Sequence, residues 1–230
     1  MKKSFVIFLI LLCCLSSSLA TPSQANNSSG LKNRVIVLDP GHGGYDPGAV
    51  NNNIREKDLN LALSQKIAEL LKKEGAIVHL TRTKDYNLAP VGLHGRAARF
   101  ADLSLRAAMA KEKSADIFVS IHMNSIAFRY CRGAEVYYHF QSQEGARLAQ
   151  SIQSELIKIP GMRKRTVKPG DYALLRLTTV PAVIVEAGFI TNDDELKHLT
   201  TERYQQALAE SIVRGIENYF SPNEKQQSGS

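Results

Sequence analysis

The chain has 230 residues, of which 43% are hydrophobic and 22% charged, and its formal net charge is +7. This length supports one catalytic-size domain, the composition excludes an intrinsically disordered or collagen-like chain, and three cysteines are too few for a disulfide framework. The basic charge fits polyanions such as wall polymers or membrane headgroups, but no aromatic residues are interleaved with the densest basic segment, 163–168, so we expect no nucleic-acid partner.

The N-terminal segment, residues 1–25, has the pattern of a secretory signal. Lys2 and Lys3 precede an apolar run from Phe5 to Leu15, and a small-x-small cleavage site ends at Ala20 or Ala25. An uncleaved anchor stays open, although the run is shorter than the roughly 20 apolar residues that span a bilayer. We therefore expect an exported protein whose mature form keeps 27 basic and 22 acidic residues, a net charge of +5.

The rest of the chain alternates short apolar runs with longer segments of helical periodicity. Strands are predicted over Val35 to Leu38, Ala76 to Leu80, Ile117 to Ile121, Ala134 to Tyr138 and Ala182 to Val185. Helices are predicted over Leu59 to Leu71, from Asp102 as the N-cap through Lys113, and over Glu144 to Ile157 and Glu202 to Tyr219. This order predicts a single-domain α/β fold with a mostly parallel sheet covered by helices on both faces. Residues 34–220 would form this domain, between a polar linker at 26–33 and a disordered tail at 221–230.

Polar residues occur where the predicted strands end. His42 follows the first strand, His122 the third and Glu186 the last, while Glu56 stands at the start of the first long helix. Ligand sites of open α/β sheets lie beyond the carboxyl ends of the strands, so these side chains are expected to converge. Two histidines and two glutamates, without a comparably placed Ser-His-Asp or Cys-His set, indicate a metal hydrolase.

Each of the four residues also has a simpler explanation. His42 fits a glycine-rich turn, His122 a hydrogen-bonded strand end, Glu56 an ordinary first-turn acid, and Glu186 a buried acid paired with a basic residue. The carboxylate of Glu186 argues most strongly for a site, because it follows a fully apolar strand and loses hydration there unless a cation or hydrogen bonds compensate. A catalytic zinc needs three protein ligands and one open position, which His42, Glu56 and His122 satisfy with one ion per chain.

Several ordered segments carry a resemblance to a known family. They are Leu38 to Gly44, Glu56 to Asp58, Thr81-Arg82, Ser120 to Asn124, Gly133 to Glu135 and Val185 to Asn192. In this order, and over Val35 to Tyr219, the chain resembles the zinc-dependent N-acetylmuramoyl-L-alanine amidases of the type 3 family. The resemblance implies a twisted sheet of about six strands, peptidoglycan as the partner, and hydrolysis of the amide between N-acetylmuramic acid and L-alanine. It also implies zinc ligands at His42, Glu56 and His122 and a catalytic, proton-shuttling glutamate at Glu186.

The segment from Leu88 to Arg99, followed by Asp102, Leu103 and Arg106, resembles the germination-specific branch of this family, which acts on the spore cortex. This implies peptide removal from muramic acid before formation of muramic δ-lactam, on the wall or cortex side of the membrane. Met123 and Ser125 depart from the alanines common in the family, and neither is a proposed ligand.

Two further residues are candidates for substrate binding, each with an alternative. Asn124, just after His122, would orient the substrate or cap the strand turn. Arg106 would meet a substrate carboxylate or lie exposed on its helix. The functional alternatives are a general wall-remodelling amidase, a zinc carboxypeptidase or deacetylase on another wall bond, and a non-catalytic wall-binding module. An accessory protein or an oligomer stays open as a further partner.

Overall fold

The computed structural model describes residues 30–221. The predicted signal segment, residues 26–29 of the predicted linker and residues 222–230 of the predicted tail lie outside this range. In the part of the chain that is described, no helix is both long enough and apolar enough to cross a membrane.

Eight strands and six helices make up the described domain. The strands are β1 Val35–Pro40, β2 Val50–Asn51, β3 Ile54–Arg55, β4 Ile77–Leu80, β5 Ile117–Asn124, β6 Glu135–His139, β7 Lys168–Gly170 and β8 Ala182–Phe189. The helices are α1 Glu56–Lys73, α2 Gly95–Glu112, α3 Gln143–Leu156, α4 Ala173–Leu177, α5 Asp193–Leu199 and α6 Glu202–Phe220.

The strands form one six-stranded sheet in the order β4-β1-β5-β8-β6-β7, and β2 and β3 form a separate hairpin. All paired neighbours in the large sheet are parallel except β6 and β8. This confirms the predicted single-domain α/β fold with a mostly parallel sheet of about six strands. The carboxyl ends of β1, β5 and β8 therefore meet at one edge of the sheet.

Successive side chains of the central strands pack against different helices. Ile36 and Leu38 lie in the larger hydrophobic core with residues of α1, α3 and α6, whereas Val37 lies in a second core with residues of α2 and α4. Side chains alternate between the two faces of a strand, so a strand covered on both faces must be apolar throughout. This explains the hydrophobic runs that predicted β1, β5 and β8, in which the one polar residue, Ser120 of β5, is buried and donates to Asp39.

Several predicted boundaries differ from the structure. Helix α2 begins at Gly95 rather than at Asp102, because the upstream segment 97–101 contains three alanines, the strongest helix formers, and Asp102 lies within the helix. Strands β5 and β8 continue past Ile121 and Val185, so His122 and Glu186 lie inside strands rather than after them. The predicted linker is wrong at Leu31, whose side chain is fully buried in the larger core.

The two ends of the described chain lie side by side at the amino end of β1. A methyl group on Gly30 would lie 3.6 Å from the Ser221 hydroxyl oxygen. The guanidinium of Arg34 stacks on the ring of Phe220 at 4.6 Å from its centroid. The turn before β1 and the last residues of α6 thus form one packed corner.

Candidate active site

Three side chains converge at the carboxyl edge of the sheet. His42 lies in the loop after β1, Glu56 is the first residue of α1, and His122 lies in β5. Their ligand atoms are all within 4.8 Å of one another. Glu56 Oε1 lies 3.1 Å from His42 Nε2 and 3.0 Å from His122 Nδ1, so the carboxylate joins the two imidazoles.

Two glycines allow the loop after β1 to approach these side chains. A Cβ on Gly41 would lie 2.2 Å from His122 Nε2, so any larger residue would collide with the imidazole. Gly48 has φ +66°, and a Cβ there would lie 2.6 Å from Glu56 Oε2. Gly41 and Gly48, on either side of His42, are therefore needed because a larger residue at either position would collide with a side chain of the site.

Asp46 holds the ring of His42 from the opposite side. His42 Nδ1 lies 2.8 Å from Asp46 Oδ2, while Asp46 Oδ1 accepts from the Gly48 backbone N–H at 3.1 Å. Burial alone would lower the pKa of His42, but the hydrogen bonds with Asp46 and Glu56 outweigh it and raise that pKa to about 9. At neutral pH the metal-free imidazole is therefore protonated, and metal binding must release this proton.

The carboxylate of Glu56 is almost fully buried, yet both of its oxygens accept hydrogen bonds. Oε1 accepts from the Met123 N–H at 3.2 Å, and Oε2 accepts from the Ala49 N–H at 2.9 Å. Burial raises the pKa of this carboxyl, but the hydrogen bonds and charges of His122 and His42 outweigh it and hold the pKa well below its usual range. Glu56 is thus an anion at all physiological pH values.

The structure corrects the expectation of an exposed Arg106, because this side chain is only 2% exposed. Its guanidinium donates to the carboxylates of Asp102 and Asp39, at 2.8 Å each, and to the carbonyls of Pro40 and His42. These acceptors place Arg106 beneath the loop after β1 and do not support its proposed contact with a substrate carboxylate. It is a positioning residue for the backbone of His42.

A second buried arginine, Arg82, holds the same loop and was not singled out as a functional residue from the sequence. It is fully buried and donates to the carbonyls of Pro40, Gly41 and Lys57 at 2.8–2.9 Å. The sequence signals were its place two residues after β4 and its presence in Thr81-Arg82, one of the segments that carry the family resemblance. Arg82 and Arg106 therefore fix the loop that carries His42 from two sides.

Glu186 lies opposite His122 in the pairing of β5 with β8. Its Oε2 is buried and has no hydrogen-bond partner among the described residues. Burial raises the pKa of Glu186 to about 7, although the charge of His122 opposes this rise. No basic residue within 30–221 therefore forms an ordinary buried ion pair with Glu186.

Asn124 lies at the end of β5, and its side chain faces another acid. The side-chain Nδ2 donates to Glu135 Oε2 at 3.4 Å, and the backbone carbonyl of Asn124 accepts from the Ile190 N–H at 2.9 Å. Glu135, which pairs with Glu186 across β6 and β8, also forms salt bridges with Arg165 and Lys168. Asn124 thus connects the ligand strand to this charged group, and its contact with substrate stays a prediction.

The donor set fits a divalent transition metal. Two imidazole nitrogens and one carboxylate oxygen form a standard three-ligand set with a fourth position left for water or substrate. The carboxylate of Asp46 behind the ring of His42 is the outer hydrogen bond that orients metal-bound imidazoles in proteins. The partnerless oxygen of Glu186 adds an acceptor that faces no protein donor. The arrangement can therefore hold a metal and keep a base beside it.

Comparison with known proteins gives a consistent result. A family model described as N-acetylmuramoyl-L-alanine amidase matches residues 36–218. A germination-specific N-acetylmuramoyl-L-alanine amidase of Bacillus subtilis strain 168 is 35% identical over 193 residues, covering 83% of this chain and 81% of that protein. The protein YqiI of the same strain is 37% identical over 211 residues, covering 91% of this chain and 95% of that protein.

Solved structures agree with this result. The CwlD amidase of Clostridioides difficile, in complex with the GerS lipoprotein, is 38% identical with a TM-score of 0.78, covering 81% of this chain and 98% of that one. An N-acetylmuramoyl-L-alanine amidase of Clostridium difficile 630 is 33% identical with a TM-score of 0.73, covering 86% of this chain and all of that one.

Proposed function

Because the chain belongs to the N-acetylmuramoyl-L-alanine amidase family, we propose that it is a zinc enzyme that removes stem peptides from peptidoglycan during maturation of the spore cortex. The activity is hydrolysis of the amide between N-acetylmuramic acid and L-alanine. The single observation that carries the proposal is the convergence of His42, Glu56 and His122 within 4.8 Å, beside the partnerless carboxylate of Glu186.

His42 Nε2, Glu56 Oε1 and His122 Nδ1 are the atoms that would hold the zinc ion, with Asp46 orienting the first of them. A zinc ion bound there supplies a Lewis acid for the amide carbonyl and lowers the pKa of a water molecule towards ~7. The buried anion Glu56 contributes the one negative charge of the ligand set. Arg82 and Arg106 keep the loop of His42 in place through backbone carbonyls, so neither cation competes for the ligand atoms.

Glu186 carries the proton in the reaction. Its carboxylate takes a proton from the attacking water, whose oxygen bonds to the lactyl carbonyl carbon. The same carboxyl then delivers the proton to the alanine nitrogen as the carbon–nitrogen bond breaks. The products are a free lactyl carboxylate on muramic acid and a peptide with an L-alanine N-terminus, which balances the addition of one water.

The spore-cortex assignment is supported by the germination-specific relative at 35% identity and by the similarity of the 88–106 segment to that branch. The substrate lies outside the cytoplasmic membrane, so the proposal includes export to the wall or cortex side. The proposal leaves a further protein partner open. The complex of the CwlD relative with the GerS lipoprotein supports such a partner.

Digestion of purified peptidoglycan by the zinc-loaded protein tests the reaction. We expect mass spectrometry to find stem peptides with free L-alanine N-termini and glycan strands with unsubstituted muramic acid. Digestion with Glu186→Gln serves as the control for other enzymes in the preparation. Release of terminal D-alanine alone would instead indicate a carboxypeptidase, release of acetate a deacetylase, and unaltered peptidoglycan a non-catalytic module.

Spore chemistry tests the cortex role separately. Deletion of the gene is expected to leave vegetative growth and cell separation near normal while muramic δ-lactam disappears from the cortex and germination becomes poor. The physical reason is steric, because a lytic enzyme whose pocket fits the lactam rejects muramic acid that still carries a peptide. Normal lactam content in the mutant spores would instead indicate a role in general wall remodelling.

A further inference from the structure

Two neighbouring cavities open beside the ligand site. The smaller has a volume of about 60 Å³, and Arg99 borders it together with His42 and His122. Next to it lies a larger cavity of about 410 Å³, which is lined by Tyr45, Asp46, Pro47, Asn87, Gly95, Arg96, Arg99 and Asp102. Asp46, Arg99 and Asp102 border both cavities, which are therefore neighbours and are called the cleft below.

The two acids that border both cavities, Asp46 and Asp102, already have partners. Asp46 Oδ2 is bonded to His42 and Oδ1 to the Gly48 N–H. Asp102 accepts from the Leu88 N–H at 2.7 Å and from Arg106 Nε at 2.8 Å. Neither carboxylate forms a salt bridge with the arginines that line the larger cavity.

Arg96 and Arg99 are therefore the uncommitted charges of the cleft. Within residues 30–221 neither side chain forms a hydrogen bond or a salt bridge, whereas five other exposed arginines of this domain, including Arg55 and Arg129, pair with an acid. Arg99 lies close enough to Asp46 to contribute to its lowered pKa, but it makes no bond with that carboxylate. Two guanidinium groups one helical turn apart, on the rim of a cavity, can bind one carboxylate through paired N–H donors.

The chemistry of the substrate decides which half of it fits there. The glycan strand around muramic acid carries no charge once its lactyl carboxyl is in the amide. The peptide half carries a free α-carboxylate on its second residue, a glutamate linked through its side chain. Each extended residue spans about 3.5 Å, so this carboxylate lies within two residue lengths of the scissile bond. Arg99 borders the small cavity beside the histidines, and Arg96 and Arg99 both line the larger one.

From this geometry we infer that Arg96 and Arg99 bind the free α-carboxylate of the second stem residue, so that the enzyme prefers stems with glutamate to stems in which that carboxyl is amidated. The inference rests on the proposed amidase function and adds its stem-peptide specificity. It also gives a substrate-binding role to the segment 88–99. The start of this segment is joined to α2 by the hydrogen bond from the Leu88 N–H to Asp102.

Two muramyl tripeptides that differ in one group test the inference. The zinc-loaded parent is compared on N-acetylmuramoyl-L-alanyl-γ-D-glutamyl-L-lysine and on the compound in which the α-carboxyl of the glutamate is amidated, at low and at high salt. The γ-carboxyl is in an amide in both compounds. We expect kcat/KM to favour the acid by about tenfold at low salt, equivalent to ~1.4 kcal/mol. The preference should shrink in high salt, because the charges are near the surface.

Substitutions then assign the preference to the two arginines. Arg96→Gln and Arg99→Gln should each reduce the acid-to-amide ratio severalfold, the double variant should bring it near one, and Arg99→Lys should recover part of it. Arg203→Gln on α6 is the matched control, because Arg203 is also exposed and unpaired among the described residues, and its ratio should equal that of the parent. Zinc content and thermal unfolding are measured on the same samples.

Three outcomes distinguish this inference from the proposed function. A parent that hydrolyses both compounds equally overturns the inference and leaves the amidase function intact. A preference that survives in the double variant also overturns it, since the carboxylate must then bind elsewhere. A parent that hydrolyses neither these compounds nor peptidoglycan overturns the proposed function, and the inference with it.

Discussion

Replacing Glu186 with glutamine is expected to lower turnover by about 10² or more while zinc content stays near that of the parent. Glutamine keeps the shape of the side chain but cannot accept and return a proton, and a positioned acid–base group contributes about 10²–10⁴ to rate. Steady-state hydrolysis of a muramyl peptide and metal analysis of the same sample provide the measurement. Turnover equal to the parent's would assign the proton transfer to another group.

The pH dependence gives the same substitution a second readout. The carboxylate must be ionised to act as a base, and burial raises the pKa of Glu186 to about 7 in the metal-free protein. A bound dication stabilises the carboxylate, so kcat/KM of the zinc enzyme should rise with pH along a limb at or below pH 7. Glu186→Gln should lose this limb.

Stability separates the catalytic role of Glu186 from a structural one. Its pKa is raised in the folded state above the ordinary value of 4.5, so ionisation costs stability as pH rises through about 7 and costs nothing below pH 4.5. The metal-free Glu186→Gln protein should therefore be more stable than the metal-free parent at pH 8, and the difference should narrow towards pH 5. Glu155→Gln, on α3, is the contrasting variant, because this buried carboxylate is paired with Lys158 and Arg214 and its loss should destabilise the protein.

Loss of any one ligand is expected to abolish zinc retention. His42→Ala, Glu56→Ala or His122→Ala leaves two ligands, which rarely hold zinc against a chelator. Metal analysis after dialysis against a chelator provides the measurement, and activity should fall with occupancy. Full occupancy in all three variants would contradict the ligand assignment.

Asp46→Asn is the graded comparison for the ligand variants. It keeps the three ligands and weakens the hydrogen bond that orients His42, so metal affinity should fall by about 10–100-fold rather than disappear. A loss as complete as that of His42→Ala would mean that Asp46 itself binds the metal.

The sequence predicted the architecture because each buried strand is apolar on both faces. The runs that end in Leu38, Ile121 and Val185 required helices on either side, and this requirement alone indicates a mostly parallel sheet. The family resemblance is confirmed by the model that matches residues 36–218. The prediction of a shared site followed from the rule that parallel strands bring their carboxyl ends to one edge.

The residues that support the site were not visible in the same way. An arginine four positions after Asp102 resembles an ordinary surface pair on a helix, and nothing local indicates that Asp39 reaches it from 67 residues away. Arg82 donates mainly to backbone carbonyls. Every residue has a backbone carbonyl, so the residue types in the sequence do not indicate these bonds. Tertiary partners decided the burial of both side chains, so local pattern could not predict it.

The packed corner of Gly30, Arg34 and Phe220 sets the direction from which the enzyme can be tethered. Residues 30 and 221, the two ends of the described range, lie at the amino end of β1, and a strand of six residues separates this corner from the ligand edge by about 20 Å. An attachment at either end, whether to a membrane, a surface or a fusion partner, therefore pulls on the side opposite the cleft. An immobilised enzyme would present its catalytic edge outward, towards a polymer too large to diffuse around it.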